Sequence, residues 1–168
     1  MEEDRCSDLP YPMRPGSNEN DGARSRAATL PLRILLVEDN PADVLVTKEV
    51  LKQFGIPFEL QTASDGAEAI SLLELYETNL TELRPGLVLL DLNLPKVPGA
   101  EVLSHLRDRE WSKRIPVVVV TSSDSPSDLN AIRNIGATAY FRKPTSLSAY
   151  MQLGRVILEV LPRVGKGA

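Results

Sequence analysis

Cysteine and histidine are almost absent from this chain of 168 residues, which has one of each, Cys6 and His105. A lone cysteine excludes a disulfide framework and a metal site built from thiolates. A lone histidine excludes any site that takes two histidines from one chain. No apolar run reaches the roughly 18 residues of a membrane-spanning helix. We therefore expect an intracellular, cytoplasmic protein that does not bind membranes.

The chain also lacks an excess of positive charge. It has 19 lysines and arginines against 23 acidic residues, a net charge of −4. Nucleic-acid binding usually needs a basic patch, so we expect no nucleic-acid partner. The content of 42% apolar and 25% charged residues fits one soluble domain with some additional length.

The additional length lies at the ends. Residues 1–30 mix proline, glycine, serine, asparagine and charges without periodicity. Such a segment cannot bury enough apolar surface to offset its chain entropy, so we predict a disordered N-terminal tail. The globular domain is expected over residues 31–162, and a flexible C-terminal end over residues 163–168.

Within the domain, apolar runs alternate strictly with helical patterns. Strands are predicted at 32–37, 57–63, 87–91, 115–122 and 137–143. Helices are predicted at 40–54, 66–77, 99–110, 125–136 and 146–161. The first, third and fourth strands are apolar on both faces. This pattern predicts an α/β protein with a doubly wound, five-stranded parallel sheet and five helices.

Functional side chains follow four of the predicted strands. Glu38 and Asp39 follow the first strand, Asp91 the third, Thr121 ends the fourth and Lys143 follows the fifth. In an open parallel sheet, sites form at the carboxyl ends of the strands. Three carboxylates and one ammonium have a formal charge of −2, which one divalent cation would neutralise. Oxygen ligands without nitrogen or sulfur favour Mg²⁺, with Mn²⁺ as its usual substitute.

The same residue types suit phosphoryl transfer, in which the protein mainly positions groups and neutralises charge. An aspartate can act as the nucleophile and form an aspartyl phosphate. Asp91 ends the central strand and is the natural choice. Lys143 offers a mobile point charge for a phosphate oxygen, and the Thr121 hydroxyl can donate a hydrogen bond to another.

Four segments in this order resemble the receiver domain of two-component response regulators, the CheY-like family. They are ILLVEDNPAD, LVLLDLNLPKVPGAEVL, IPVVVVTSS and AYFRKP. The resemblance covers about residues 31–161. It implies the flavodoxin-like strand order 2-1-3-4-5, and a cis peptide bond between Lys143 and Pro144.

The resemblance also implies a role for each site residue. Asp91 would be the phosphoacceptor, and Thr121 and Lys143 would sense the phosphoryl group. Tyr140 occupies the position of the switch aromatic residue. The implied Mg²⁺ ligands are Asp39 directly, Glu38 through water, Asp91, and the backbone carbonyl of Asn93.

Within the family, EDNPAD and the long 78–86 connection resemble the single-domain regulators that serve phytochrome-type sensor kinases. This implies a sensor histidine kinase as partner and a homodimer through the face of helix 4, strand 5 and helix 5. Such a receiver catalyses only its own phosphorylation and dephosphorylation, and is otherwise no enzyme.

Three other functions compete with that of a phosphorylated receiver. A haloacid-dehalogenase-type phosphatase needs a second acid two residues after its nucleophile, where this chain has Asn93. A nucleotide-binding module would need a glycine-rich turn after the first strand. A degenerate receiver that acts only as an interaction module is the main competing hypothesis. It usually loses the acid pair, the aspartate or the lysine, and all of these are present here.

Overall fold

The computed structural model of the protein describes residues 30–78, 83–123 and 125–161. The predicted flexible C-terminal end, and all of the predicted N-terminal tail except Leu30, lie outside the described residues. Five parallel strands form one sheet in the order β2-β1-β3-β4-β5, as predicted. The strands are β1 Leu32–Val37, β2 Phe58–Ala63, β3 Leu87–Leu90, β4 Val117–Thr121 and β5 Ala139–Arg142.

Helices connect successive strands. They are α1 Pro41–Gln53, α2 Gly66–Thr78, α3 Gly99–Arg107 and α4 Pro126–Ile135, followed after β5 by a helix in two pieces, Leu147–Tyr150 and Gln152–Val160, together named α5. The break in α5 was not predicted. There the Gly154 amide donates to the carbonyl of Met151, three residues back, so the turn is tighter than an α-helical one. None of the described helices is long and apolar enough to cross a bilayer.

The sheet is buried on both faces, as the unbroken apolar strands predict. Alternate strand residues such as Val37, Leu90 and Val119 pack on one face with α2 and α3. The residues between them, such as Leu36 and Leu89, pack on the other face with α1 and α5. Because successive side chains of a strand point to opposite faces, one apolar run supplies both cores.

Local signals in the sequence start and end the helices. The Asn40 side chain accepts a hydrogen bond from the Ala42 amide and caps α1, with Pro41 at the first helical position. The Ser125 side chain caps α4 in the same way, and Gly136 ends that helix in the left-handed conformation. These caps fix the helix starts that follow β1 and β4, next to the carboxyl edge of the sheet.

The region after α3 differs from the prediction of a helix to residue 110. The helix ends at Arg107, and a 3₁₀ turn follows at Glu110–Ser112. The Arg107 guanidinium donates to the backbone carbonyls of Ser112, Ile115 and Gly136. These bonds hold the turn and the entry to β4 against the end of α4, so a single side chain replaces the predicted last helical turn.

Candidate functional site

The predicted residues meet at the carboxyl edge of the sheet. Val37 and Leu90 are partners in the β1–β3 register, so the acids that follow them are neighbours. The Asp91 amide donates to the carbonyl of Val37 at 3.0 Å. Glu38 and Asp91 each retain 5% of their exposure, whereas Asp39 is exposed. The strands thus deliver two buried carboxylates and one that faces water.

Lys143 is the cation that the two buried acids, Glu38 and Asp91, share. Its Nζ lies 2.6 Å from Asp91 Oδ2 and 2.6 Å from Glu38 Oε2. It also lies 2.8 Å from Asp43 Oδ2, in the first turn of α1. Asp43 was not predicted to belong to the site. One feature of the sequence could have indicated it, since Asp43 lies four residues after Asp39, in the first turn of α1.

The cluster is strongly acidic. Glu38, Asp39, Asp43 and Asp91 against Lys143 give a formal charge of −3, one more negative than the sequence predicted. Burial raises the pKa of Glu38 above its ordinary value, although Lys143 opposes the shift. Burial alone would lower the pKa of Lys143. Its hydrogen bonds to Asp43, Asp91 and Glu38 outweigh that effect, so the pKa is raised and the ammonium stays charged.

The raised pKa of Glu38 predicts a specific pH dependence of stability. Unfolded Glu38 loses its proton near its ordinary pKa of 4.5, and the folded protein retains the proton to higher pH. Between these two pKa values the folded state binds more protons than the unfolded state. The contribution of Glu38 to the free energy of unfolding therefore falls as pH rises. In metal-free protein, Glu38→Gln should lack this component and be more stable than wild type at neutral pH. Chemical denaturation from pH 4 to 8 tests this, and equal pH profiles would refute it.

Three of the carboxylates could hold a cation. Oxygen atoms of Glu38, Asp39 and Asp91 all lie within 4.8 Å of one another. Among the described residues Asp39 makes no ion pair, so this exposed carboxylate is available to a ligand. An all-oxygen set with water on one side matches the preference of Mg²⁺, which keeps several of its waters. The residues therefore fit a hard divalent ion.

A hydrogen-bonded group flanks Asp91 on the β4 side. The backbone N–H of Asn93 donates to Asp91 Oδ1 at 3.0 Å, and the side-chain Nδ2 of Asn93 donates to Thr121 Oγ1 at 3.3 Å. Thr121 is fully buried and also accepts from the Ser123 amide. The half-buried Tyr140 donates its hydroxyl hydrogen to the Ser123 carbonyl. The structure thus connects Asp91 to Tyr140 through three intermediate residues.

The loop after β3 is fixed by close backbone packing. A Cβ on Gly99 would lie 2.0 Å from the Asp91 carbonyl oxygen, so only glycine fits. Lys96 has a positive φ of 67°, which is unusual for a residue other than glycine. Its Nζ lies 2.5 Å from Asp65 Oδ2, and Asp65 also accepts from the Glu68 amide at the start of α2. These contacts hold the loop that carries Asp91 against α2.

One sequence prediction about this edge is wrong. The peptide bond between Lys143 and Pro144 is trans, not cis. The Lys143 amide is already held by the carbonyl of Thr121 at 2.9 Å, and its ammonium by three acids. The trans form is the ordinary state of an X–Pro bond, since only about 5–6% of such bonds in folded proteins are cis.

Comparison with known proteins agrees with this fold and site. The family model of the response regulator receiver domain matches residues 34–153. Response regulator Rcp1 of Synechocystis sp. is 42% identical over 117 residues, 70% of this chain and 80% of that protein. The Mn²⁺-bound structure of response regulator Rcp1 has a TM-score of 0.70 at 39% identity, covering 82% of this chain and 100% of the other.

The doubly wound parallel sheet, with an acid cluster and Lys143 at its carboxyl edge, defines the flavodoxin-like receiver class of α/β proteins. The chain belongs to the response regulator receiver domain family. The predicted likeness to phytochrome-associated regulators is also confirmed. The phosphorylated cyanobacterial phytochrome response regulator RcpA has a TM-score of 0.71 at 36% identity, covering 81% of this chain and 97% of that one.

Proposed function

We propose that this protein is a single-domain response regulator that accepts a phosphoryl group on Asp91 from a sensor histidine kinase. One observation carries the proposal. The buried Asp91 carboxylate lies between the Lys143 ammonium, 2.6 Å away, and the acids Glu38 and Asp39, which complete a three-carboxylate cluster. A purely structural ion pair would not need this excess of negative charge.

In the proposed reaction, an Asp91 carboxylate oxygen attacks the phosphorus of the kinase phosphohistidine. A P–O bond forms, the P–N bond breaks, and the histidine nitrogen leaves with the electron pair and takes up a proton. Mg²⁺, or Mn²⁺ in its place, would be held by Asp39, Asp91, Glu38 and the Asn93 carbonyl, and would neutralise charge on the phosphoryl oxygens. Lys143 and the Thr121 hydroxyl would bind the remaining oxygens. Water later cleaves the acyl phosphate and releases phosphate.

A cleft beside the acids supports docking of a kinase. It has a volume of about 390 Å³ and lies between the start of α1 and the end of β2. Its wall combines the acids Glu38 and Asp39 with the apolar residues Val44 and Leu45, and Leu45 is 62% exposed. We infer a protein partner in the cytoplasm. The 36% identity with the phytochrome response regulator RcpA supports a phytochrome-type kinase.

We further propose that phosphorylation switches the α4–β5–α5 face, which would form the homodimer. Thr121 would move toward the phosphoryl group, and Tyr140 would turn inward. The hydrogen-bonded path from Asp91 through Asn93, Thr121 and Ser123 to Tyr140 supports this route. On α5, Leu147 is 60% exposed and offers apolar surface to a second copy.

The switch predicts a change in both association and Tyr140 packing. Beryllofluoride with Mg²⁺, a mimic of the phosphoryl group, should increase the dimer fraction in analytical ultracentrifugation. Leu147→Glu should reduce that dimer, because a charge replaces exposed apolar area. Leu45→Glu, on α1 and outside the α4–β5–α5 face, is the matched control. An unchanged association state and unchanged Tyr140 resonances after adduct formation would contradict the switch.

The phosphoacceptor role is tested by incubation with acetyl phosphate and Mg²⁺. Wild type should form an adduct that survives acid and is lost in base, because an acyl phosphate is base-labile. Asp91→Asn should remain unlabelled, and Asp108→Asn, an exposed carboxylate at the end of α3, should behave as wild type. A wild type that stays unlabelled with acetyl phosphate and with kinases would support the interaction module instead.

A further inference from the structure

The acid whose role is not explained by phosphoacceptor chemistry is Asp43. It does not belong to the cluster of three carboxylates that could hold a metal ion. It lies on α1 and not in the loop that carries Asp91. Its carboxylate nevertheless lies 2.8 Å from Lys143 Nζ, nearly as close as the carboxylates of Asp91 and Glu38. The contact joins the first turn of α1 to the residue after β5.

Lys143 has no unused donor in this arrangement. A lysine ammonium carries three N–H groups, and here three carboxylates accept them. Under the proposed function, Lys143 must also bind a phosphoryl oxygen when Asp91 is modified. A new oxygen can be bound only if one of the three carboxylates gives up its place.

The three carboxylates differ in how readily they can do so. Glu38 is 3% exposed at its side chain and is also held by the Asn40 amide at 3.1 Å. Asp91 is 6% exposed and carries the phosphoryl group itself. The Asp43 side chain is 23% exposed, so water can solvate it when the lysine leaves. Burying a carboxylate without a partner is costly, and Asp43 avoids most of that cost.

We propose that Asp43 is a positioning residue that restrains Lys143 in the unphosphorylated protein and releases it to the phosphoryl group. This inference rests on the proposed function. It predicts that a residue on α1 limits the rate of phosphorylation. It also gives the modification a mechanical consequence. Breaking the contact removes the ion pair between the first turn of α1 and the residue after β5.

Asp43→Asn tests the proposal, because the amide keeps the size of the side chain and a neutral acceptor but loses the charge. The acetyl phosphate reaction should become roughly three- to tenfold faster, the range expected when one unit charge is removed near a partly buried lysine. Asp43→Ala removes the acceptor as well and should accelerate the reaction at least as much. Unchanged rates in both variants would overturn the proposal.

Two controls separate restraint of the lysine from a general effect of negative charge. Glu49→Gln removes an exposed carboxylate from the same helix, α1, that pairs with Lys52 and does not contact Lys143. It should leave the rate within about twofold of wild type, as expected for a screened charge. In a Lys143→Ala background, Asp43→Asn should give no acceleration. Equal acceleration by Glu49→Gln, or acceleration without the lysine, would overturn the proposal.

A measurement without any phosphodonor distinguishes failure of this inference from failure of the proposed function. Hydrogen exchange of the Lys143 ammonium, followed by NMR, should be slower than that of the exposed surface lysine Lys52 and faster in Asp43→Asn than in wild type. If the Lys143 ammonium of wild type exchanged as fast as that of Lys52, Lys143 would not be restrained and the inference would be wrong. If the Lys143 ammonium exchanged slowly but wild type stayed unlabelled by acetyl phosphate, the restraint would stand and the phosphoacceptor role of Asp91 would be wrong.

Discussion

Lys143→Ala should lower the free energy of unfolding by about 3 kcal/mol at neutral pH in metal-free protein. The substitution leaves the buried carboxylates of Glu38 and Asp91 without their shared cation. Removing one partner of a buried ion pair costs about 3–5 kcal/mol, and the third partner, Asp43, is 23% exposed, which places this site at the lower end. Urea denaturation followed by circular dichroism measures the loss. Saturating Mg²⁺ should restore much of it, because the ion binds only the folded cluster.

Lys143→Met separates the loss of charge from the loss of packing, since methionine keeps an unbranched apolar stem. Lys143→Met should lower the free energy of unfolding nearly as much as Lys143→Ala. Lys113→Ala removes an exposed lysine whose partner Glu110 is also exposed, and should change stability by less than about 0.5 kcal/mol. If Lys143→Ala and Lys113→Ala had equal effects, the lysine would not be neutralising the acid cluster.

Asp39→Ala should weaken Mg²⁺ binding roughly a hundredfold, at the upper end of the 10–100-fold loss that changing even a supporting residue of a metal site causes. Asp39 is the exposed member of the three-carboxylate cluster, and it makes no ion pair with the described residues. Calorimetric titration is the suitable measurement. Trp111 packs against Tyr76 and Arg84 near the amino end of the sheet, too far away to report on the ion.

Asp39→Asn keeps an oxygen ligand with less charge, so its affinity should lie between those of wild type and alanine. Glu68→Gln, in the cleft beside the cluster, should bind Mg²⁺ as wild type does. The metal-free Asp39→Ala protein should be at least as stable as wild type, because it has less like-charge repulsion. Undiminished Mg²⁺ affinity in Asp39→Ala would show that the ion, if bound, is held elsewhere.

Much of the fold could be predicted because its signals are local and repeated. Four consecutive valines ending at Val120 predict a buried strand, and Asn40 with Pro41 predicts the start of α1. The boundaries that differed depend on distant contacts. Arg107 shortens α3 because its guanidinium binds carbonyls up to 29 residues away, at Gly136. No periodicity within the helix contains that information.

The site was predictable to the same extent. Glu38, Asp39, Asp91, Thr121 and Lys143 come together because parallel strands end at one edge, so their positions along the chain sufficed. Asp43 was not predicted, since an acid in the first turn of a helix already has a local explanation in the helix dipole. Its contact with Lys143 spans 100 residues and depends on how α1 packs against α5. The trans bond before Pro144 was missed because the cis bond was implied by the family resemblance and not by any residue of this sequence.

The geometry gives Asp91 its counter-charges from other segments. Within its own loop, the nearest cation in sequence is Lys96, and that lysine is used by Asp65. The charge that Asp91 needs comes from Lys143, 52 residues later. A divalent ion bound by the three-carboxylate cluster would add to it. The loop itself contributes rigidity, through Gly99 packed on the Asp91 backbone.

Mass spectrometry can show directly whether Asp91 is the residue that carries the phosphoryl group. After reaction with acetyl phosphate and Mg²⁺, borohydride reduces an aspartyl phosphate to homoserine and so marks the modified residue permanently. We expect this mark at Asp91 alone, and no mark in Asp91→Asn or in wild type without Mg²⁺. A mark at Asp39 or Asp43 instead, or no mark on a protein that binds Mg²⁺ at the cluster, would contradict the phosphoacceptor role of Asp91.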